Sequence, residues 1–178
     1  AEGSVGNYDM YRTQAVANIP ASDRVKLRLG FDQQQRDGIL NNVTNIGPND
    51  FADVNYIAAR ASMTVNVTDT VENYTIATYT DSNTNGQPST LVACNDGPPA
   101  ALLGILYIED CNEQLDRQQA NGQNDFYDVA SSMPEAGVKI EQWQAINHTD
   151  WEINDELVLK NIFSYANLET NNATDLFG

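Results

Sequence analysis

The sequence predicts an all-β chain, an antiparallel up-and-down meander forming part of a transmembrane β-barrel. Two observations carry this. Apolar and polar residues alternate one by one along its strand-like segments, and the connections between those segments alternate between very short and very long. In Arg24-Val25-Lys26-Leu27-Arg28-Leu29-Gly30-Phe31-Asp32, the side chains of Val25, Leu27, Leu29 and Phe31 share one face. Arg24, Lys26, Arg28 and Asp32 share the other, because strand side chains have a period of two. Ala21-Ser22-Asp23, Thr68-Asp69-Thr70 and Asn154-Asp155 read as tight turns, whereas residues 37–54 and 81–138 are long polar connections. Short turns on one rim and long loops on the other are the pattern of an outer-membrane barrel.

Residues 1–6 read as a strand that Gly6-Asn7-Tyr8-Asp9 turns, and residues 10–19 return until Pro20 removes a ladder donor. The next strand, 24–36, stops at the turn dipeptide Asp37-Gly38. An Asn/Gly/Pro/Asp-rich loop comes next. Residues 56–67 place Ile57, Ala59, Ala61, Met63, Val65 and Val67 on one face and Tyr56, Arg60, Ser62, Thr64 and Asn66 on the other. Such a strand runs about 40 Å and, tilted, crosses a bilayer. Its length favours a barrel over a sandwich, whose strands are shorter. Residues 71–80, 138–152 and 156–167 supply three further strands, and from Asn171 the chain reads as polar loop. Tyr8, Tyr11, Tyr56, Tyr79, Trp143, Trp151 and Tyr165 fall near strand ends. They fit either interfacial girdles or ordinary β-propensity.

The segment 81–137 is too long to be structureless in a compact domain. Pro98-Pro99 followed by Ala100 to Tyr107 reads as the start of a short helix with Pro in its first turn, and Glu113 to Ala120 as its continuation. Cys94 and Cys111 lie in this segment. An even count in a loop fits a disulfide formed in an oxidising compartment, worth about 3 kcal/mol; two buried thiols are the alternative. From Asp81 to Glu135 the only basic residue is Arg117. That excess of acid reads as a solvated loop or as a mouth attractive to cations.

Composition narrows the function classes. The 178 residues carry 25 Asp plus Glu against 9 Lys plus Arg, a formal net charge of −16, which argues against nucleic acid as a partner. Mean hydropathy is −0.45. The longest apolar stretch, Pro98 to Ile108, is about half of the roughly 20 residues a spanning helix needs. A barrel evades that test, since only alternate residues face lipid. Catalytic signals are poor. The single His148 sits in a strand with no nucleophile or orienting acid placed by motif, so no catalytic residue, cofactor or metal is expected. Asp81-Ser82-Asn83-Thr84-Asn85-Gly86 matches half of a calcium loop, but its closing twelfth position is Val92, so a polar turn is expected instead. Asn-x-Thr sequons at Asn42, Asn66, Asn73, Asn147 and Asn172 read as coincidence in an Asn/Thr-rich chain rather than as glycan sites.

Taken in order, several segments resemble one family. Gly6-Asn7-Tyr8-Asp9, Asn18-Ile19-Pro20-Ala21-Ser22-Asp23, Leu27-Arg28-Leu29-Gly30, Arg36-Asp37-Gly38, Ala59-Arg60-Ala61 and Val67-Thr68-Asp69 are similar to the early barrel strands of TonB-dependent outer-membrane receptors. So are Ile140-Glu141-Gln142-Trp143, Asn154-Asp155-Glu156-Leu157 and Lys160-Asn161-Ile162-Phe163-Ser164-Tyr165, and the loop bearing Arg117-Gln118-Gln119-Ala120-Asn121-Gly122. The resemblance covers nearly the whole chain.

It implies a plugged barrel of about 22 strands, of which this fragment supplies about seven. Long loops near 39–55, 81–137 and beyond 168 would be extracellular, and Lys26, Arg28, Arg60 and Thr64 would face the lumen. The implied function is TonB-dependent uptake of a scarce solute (an iron–siderophore, cobalamin or a carbohydrate) into the periplasm of a Gram-negative bacterium. The implied partners are outer-membrane lipid and lipopolysaccharide, the rest of the barrel with its plug, and the TonB–ExbB–ExbD complex. The plug is not in this sequence, and Ala1 to Gly6 read as a strand already under way, so a longer polypeptide is expected. No residue is assigned to the solute. The rivals are a secreted or surface β-sandwich binding module stapled by Cys94 and Cys111, and a polysaccharide-processing enzyme on a β-scaffold, for which no facing acid pair stands out.

Overall fold

The computed structural model describes residues 1–94 and 111–174. The chain divides into two compact units: one of residues 1–36, 54–83 and 139–171, the other of residues 37–53, 84–138 and 172–178.

The first unit is built on a single seven-stranded antiparallel sheet. Its strands are β1 (Glu2–Gly6), β2 (Met10–Pro20), β3 (Val25–Arg36), β6 (Val54–Asn66), β7 (Val71–Thr84), β9 (Gly137–Asn154) and β10 (Leu157–Ala173), hydrogen-bonded in that order. Sequential neighbours pair throughout, so the sheet is a meander. The predicted strands are all present, most of them longer than expected. The last shows the largest difference: the polar segment beyond 168, expected as loop, continues β10 to Ala173. Asn, Glu and Ala are depleted in strands, and pairing along a ladder overrides that.

Register keeps the alternation aligned across strands. Ile19 lies opposite Leu27 and Ala17 opposite Leu29. Leu27 in turn meets Met63, Leu29 meets Ala61 and Phe31 meets Ala59. Ala61 meets Ala77. A one-residue slip would send all of these to the other face. This apolar stripe is bare: Leu29, Phe31, Ile57 and Met63 are 39–41 % exposed. Among the described residues of this unit only Ser62 is buried. The sheet is open, with β1 and β10 as its edges.

Besides the turn at 7–9, three connections are short: 21–24, 67–70 and 155–156. Antiparallel alternation brings these three to one end of the sheet. The other end carries the tight turn after β1, where Tyr8 and Asp9 both adopt positive φ (60° and 50°), and the two long connections.

Those long connections make up the second unit. It holds a three-stranded sheet that the alternation pattern did not reveal: β4 (Leu40–Asn42) between β5 (Asp50–Phe51) and β8 (Asp128–Val129). β4 runs antiparallel to β5 and parallel to β8. Phe51, Val129 and Ala130 form its buried core. The loop expected over 37–54 is therefore folded rather than irregular. Gly38 is required there, because a Cβ would stand 2.4 Å from the Phe51 carbonyl oxygen. The helix α1 (Cys111–Ala120) matches the predicted continuation from Glu113. The predicted helix start at Pro98 to Tyr107 lies outside the described residues.

Candidate functional site

Two regions concentrate polar chemistry, one in each unit. The first is the sheet face opposite the apolar stripe. Lys26 pairs in register with Thr64, Arg28 with Ser62 and Gly30 with Arg60, so the four residues expected on one face do share it. Gly30 leaves a shallow hollow of about 370 Å³ between Arg28 and Arg60, floored by Ser62 and Tyr74. Further along this face Asp32 gathers partners from a neighbouring strand. Arg12 donates to it twice, Nε to Oδ1 at 3.0 Å and Nη2 to Oδ2 at 2.6 Å, and Gln14 Nε2 donates at 3.0 Å. Such a two-pronged guanidinium–carboxylate pair fixes geometry as well as charge. His148 also lies here, with Nε2 2.8 Å from Asp150 Oδ1, an ion pair when the imidazole is protonated. Lys160 Nζ stands 3.2 Å from the other oxygen of Asp150. The sequence offered no orienting acid for His148; β9 supplies one two residues away, a spacing that puts both on one face.

The second region is in the loop unit. Cys94 and Cys111 are joined by a disulfide, with Cα atoms 5.9 Å apart, so the expected pairing is present. It anchors the first residue of α1. The helix ends in a left-handed cap at Gly122 (φ 93°). There the Gln123 N–H donates to the Gln118 carbonyl at 3.1 Å and the Gly122 N–H to that of Gln119 at 3.0 Å. In this cap the residues at the Gln118 and Gln123 positions commonly make an apolar contact. Here both are amides, and both are buried, at 2 % and 8 % exposure. Gln118 is satisfied: its amide donates to the Leu91 carbonyl at 3.0 Å and accepts from the Leu91 N–H at 3.1 Å. Among the described residues the Gln123 amide has no partner at either end.

Gln123 lines a cavity of about 500 Å³. Leu40, Leu91 and Leu115 contribute apolar wall, and Phe126 and Tyr127 stand at it with their rings edge to face, centroids 5.3 Å apart. A tight turn presents the two rings: Asp128 Oδ2 accepts from the Asn124 and Asp125 N–H groups, and Asp125 Oδ1 accepts from the Tyr127 N–H at 3.1 Å. Nothing in the sequence pattern marked this cavity. Its parts come from residues 39–52 and 87–127, brought together only by the small sheet and the helix cap.

The calcium-loop fragment is taken up by structure. Asp81 to Thr84 continue β7, and Gly86 turns the chain at φ 81°. Asn85 Nδ2 donates to the Asp50 carbonyl and side chain at 3.0 Å each, and its N–H donates to Asp53 Oδ1 at 2.7 Å. Among the described residues no group of three His, Cys, Asp or Glu side chains is placed to hold a metal ion.

Comparison with known protein families, with curated proteins and with solved structures finds no significant match to this chain.

Proposed function

We propose that the chain is a segment of a large outer-membrane β-barrel receptor that takes up a small solute in a TonB-dependent manner. The observation that carries this reading is the bare apolar stripe running in register across β2, β3 and β6 of a meander. A lone sheet in water buries such a stripe; hydrocarbon removes the need. After β1, the strands of the large sheet are 11 to 18 residues long, enough to match or exceed the roughly 9–11 that cross a bilayer. Three short turns at one end and long connections at the other fit the periplasmic and extracellular rims. The opposite face, with Lys26, Arg28, Arg60 and the Asp32 network, is suited to a wet lumen or a plug, since charges there need water or partners.

On this reading β1 and β10 pair with the remaining strands of the barrel. The apolar stripe of β2, β3 and β6 meets lipid and lipopolysaccharide, and the loop unit faces outside. The solute is captured without covalent chemistry and released inward when the TonB–ExbB–ExbD complex acts through the plug.

Fractionation tests it. Expressed in its native gene context in a Gram-negative host, the chain is expected in the outer-membrane pellet, resistant to alkaline extraction and released by detergent. Recovery in buffer without detergent overturns the proposal and favours a surface β-sandwich instead.

A further inference from the structure

The loop-unit cavity combines features that together define a ligand class. It has about 500 Å³ of space, in the range of small-molecule sites. Two of its polar groups are neutral and unsatisfied: both ends of the Gln123 amide and the Thr90 hydroxyl are buried without a partner among the described residues. An amide left this way is destabilising, and the helix cap holds Gln123 at a position that commonly carries an apolar side chain. The amide needs a group that both donates and accepts. The same cavity is walled by Leu91, Val92 and the Phe126 and Tyr127 rings, which are 69 % and 52 % exposed. Among the described residues no cation lines the cavity, and the one carboxylate, Asp125, already accepts from the Tyr127 N–H. An anionic solute therefore finds no counter-charge on these walls.

We propose that this cavity binds a neutral saccharide. Sugar hydroxyls donate and accept at once, matching Gln123 and Thr90, and the C–H face of a pyranose lies against aromatic and aliphatic walls. A saccharide is then the solute of the proposed uptake, and only the steps after capture rest on that function.

The test is calorimetric titration of the full chain, extracted in detergent within its native assembly, with cellotriose, maltotriose and triacetylchitotriose, and with ferric citrate as an anionic probe. At least one trisaccharide is expected to bind saturably, and ferric citrate is not. Gln123→Leu, which removes the unpaired amide without changing bulk greatly, is expected to weaken that binding at least ~10-fold, as sites built for hydroxyl hydrogen bonds behave. Its unfolding midpoint should be unchanged or higher. Phe126→Ala is expected to weaken binding as well. Failure of all three sugars to bind, binding of ferric citrate in their place, or a Gln123→Leu variant that binds like the parent overturns the proposal. A membrane-embedded chain that binds no sugar sinks this inference alone, and a buffer-soluble chain that binds one sinks only the membrane reading.

Discussion

At the scale of single residues, the Asn-x-Thr repeats acquire a physical role. In a strand the Asn and Thr of such a triplet share a face, and two triplets on neighbouring strands can satisfy each other. Asn73 Nδ2 donates to Asn147 Oδ1 at 3.1 Å and to Thr149 Oγ1 at 2.8 Å. Asn147 Nδ2 donates to Asn73 Oδ1 at 3.0 Å and to Thr75 Oγ1 at 2.8 Å. Thr75 and Thr149 close the set on their own strands. The same internal contact recurs between Asn42 and Thr44 in the loop unit and between Asn172 and Thr174. These sequons are thus hydrogen-bonding couples. Asn147→Val should cost about 1–2 kcal/mol, since it removes both hydrogen bonds between the two amides across the strands and leaves the Asn73 amide only Thr75 and Thr149. The Asn73→Val/Asn147→Val double variant should cost less than the two single changes summed. Denaturant midpoints of the detergent-folded protein measure both. This pairing was invisible in the sequence because it joins residues 73 and 147, and no periodicity states which strands will be neighbours.

At the scale of elements, the period of two predicted the strands well and their ends poorly. Leu27, Leu29, Ala61 and Met63 fall on one face as the alternation required, because successive strand side chains point to opposite faces. The ends depend on partners. β10 runs on to Ala173 through Glu169, Asn171 and Asn172, residue types depleted in strands. β4, β5 and β8 are two or three residues long, too short to show any period. The helix cap at Gly122 was readable as a glycine after a helical stretch, but the burial of Gln118 and Gln123 was not, because glutamine seldom points inward. The two faces of the sheet make a direct prediction. Leu29→Arg, on the bare stripe, should cost about 2–4 kcal/mol if that stripe meets the bilayer midplane. Thr64→Arg, on the polar face beside Lys26, should cost far less. Heat-modified gel migration of the membrane-extracted protein reads the difference. Equal tolerance of both substitutions would remove the case for lipid on one side only.

At the scale of the whole molecule, the two units owe their order to different causes. The sheet is ordered by its ladders, with almost no buried side chain among its described residues. The loop unit has a small core of Phe51, Val129 and Ala130 and a covalent tie between residues 17 apart. Closing a ring of that size is worth about 3 kcal/mol, a large share of the stability of so slight a core. Cys94→Ser/Cys111→Ser should therefore speed amide exchange in β4, β5 and β8 while leaving exchange in β3 and β6 unchanged. Uniform acceleration across both units would mean that they unfold as one. The two edge strands of the sheet carry a further consequence. Every residue of β10 from Leu157 to Asn172 is exposed, and β1 presents a second bare margin. Unpaired margins of that length template stacking of one molecule upon the next. Stripped of surfactant, solutions of this polypeptide should turn to fibrils, and their growth should slow when proline replaces Ile162 in the middle of the exposed border.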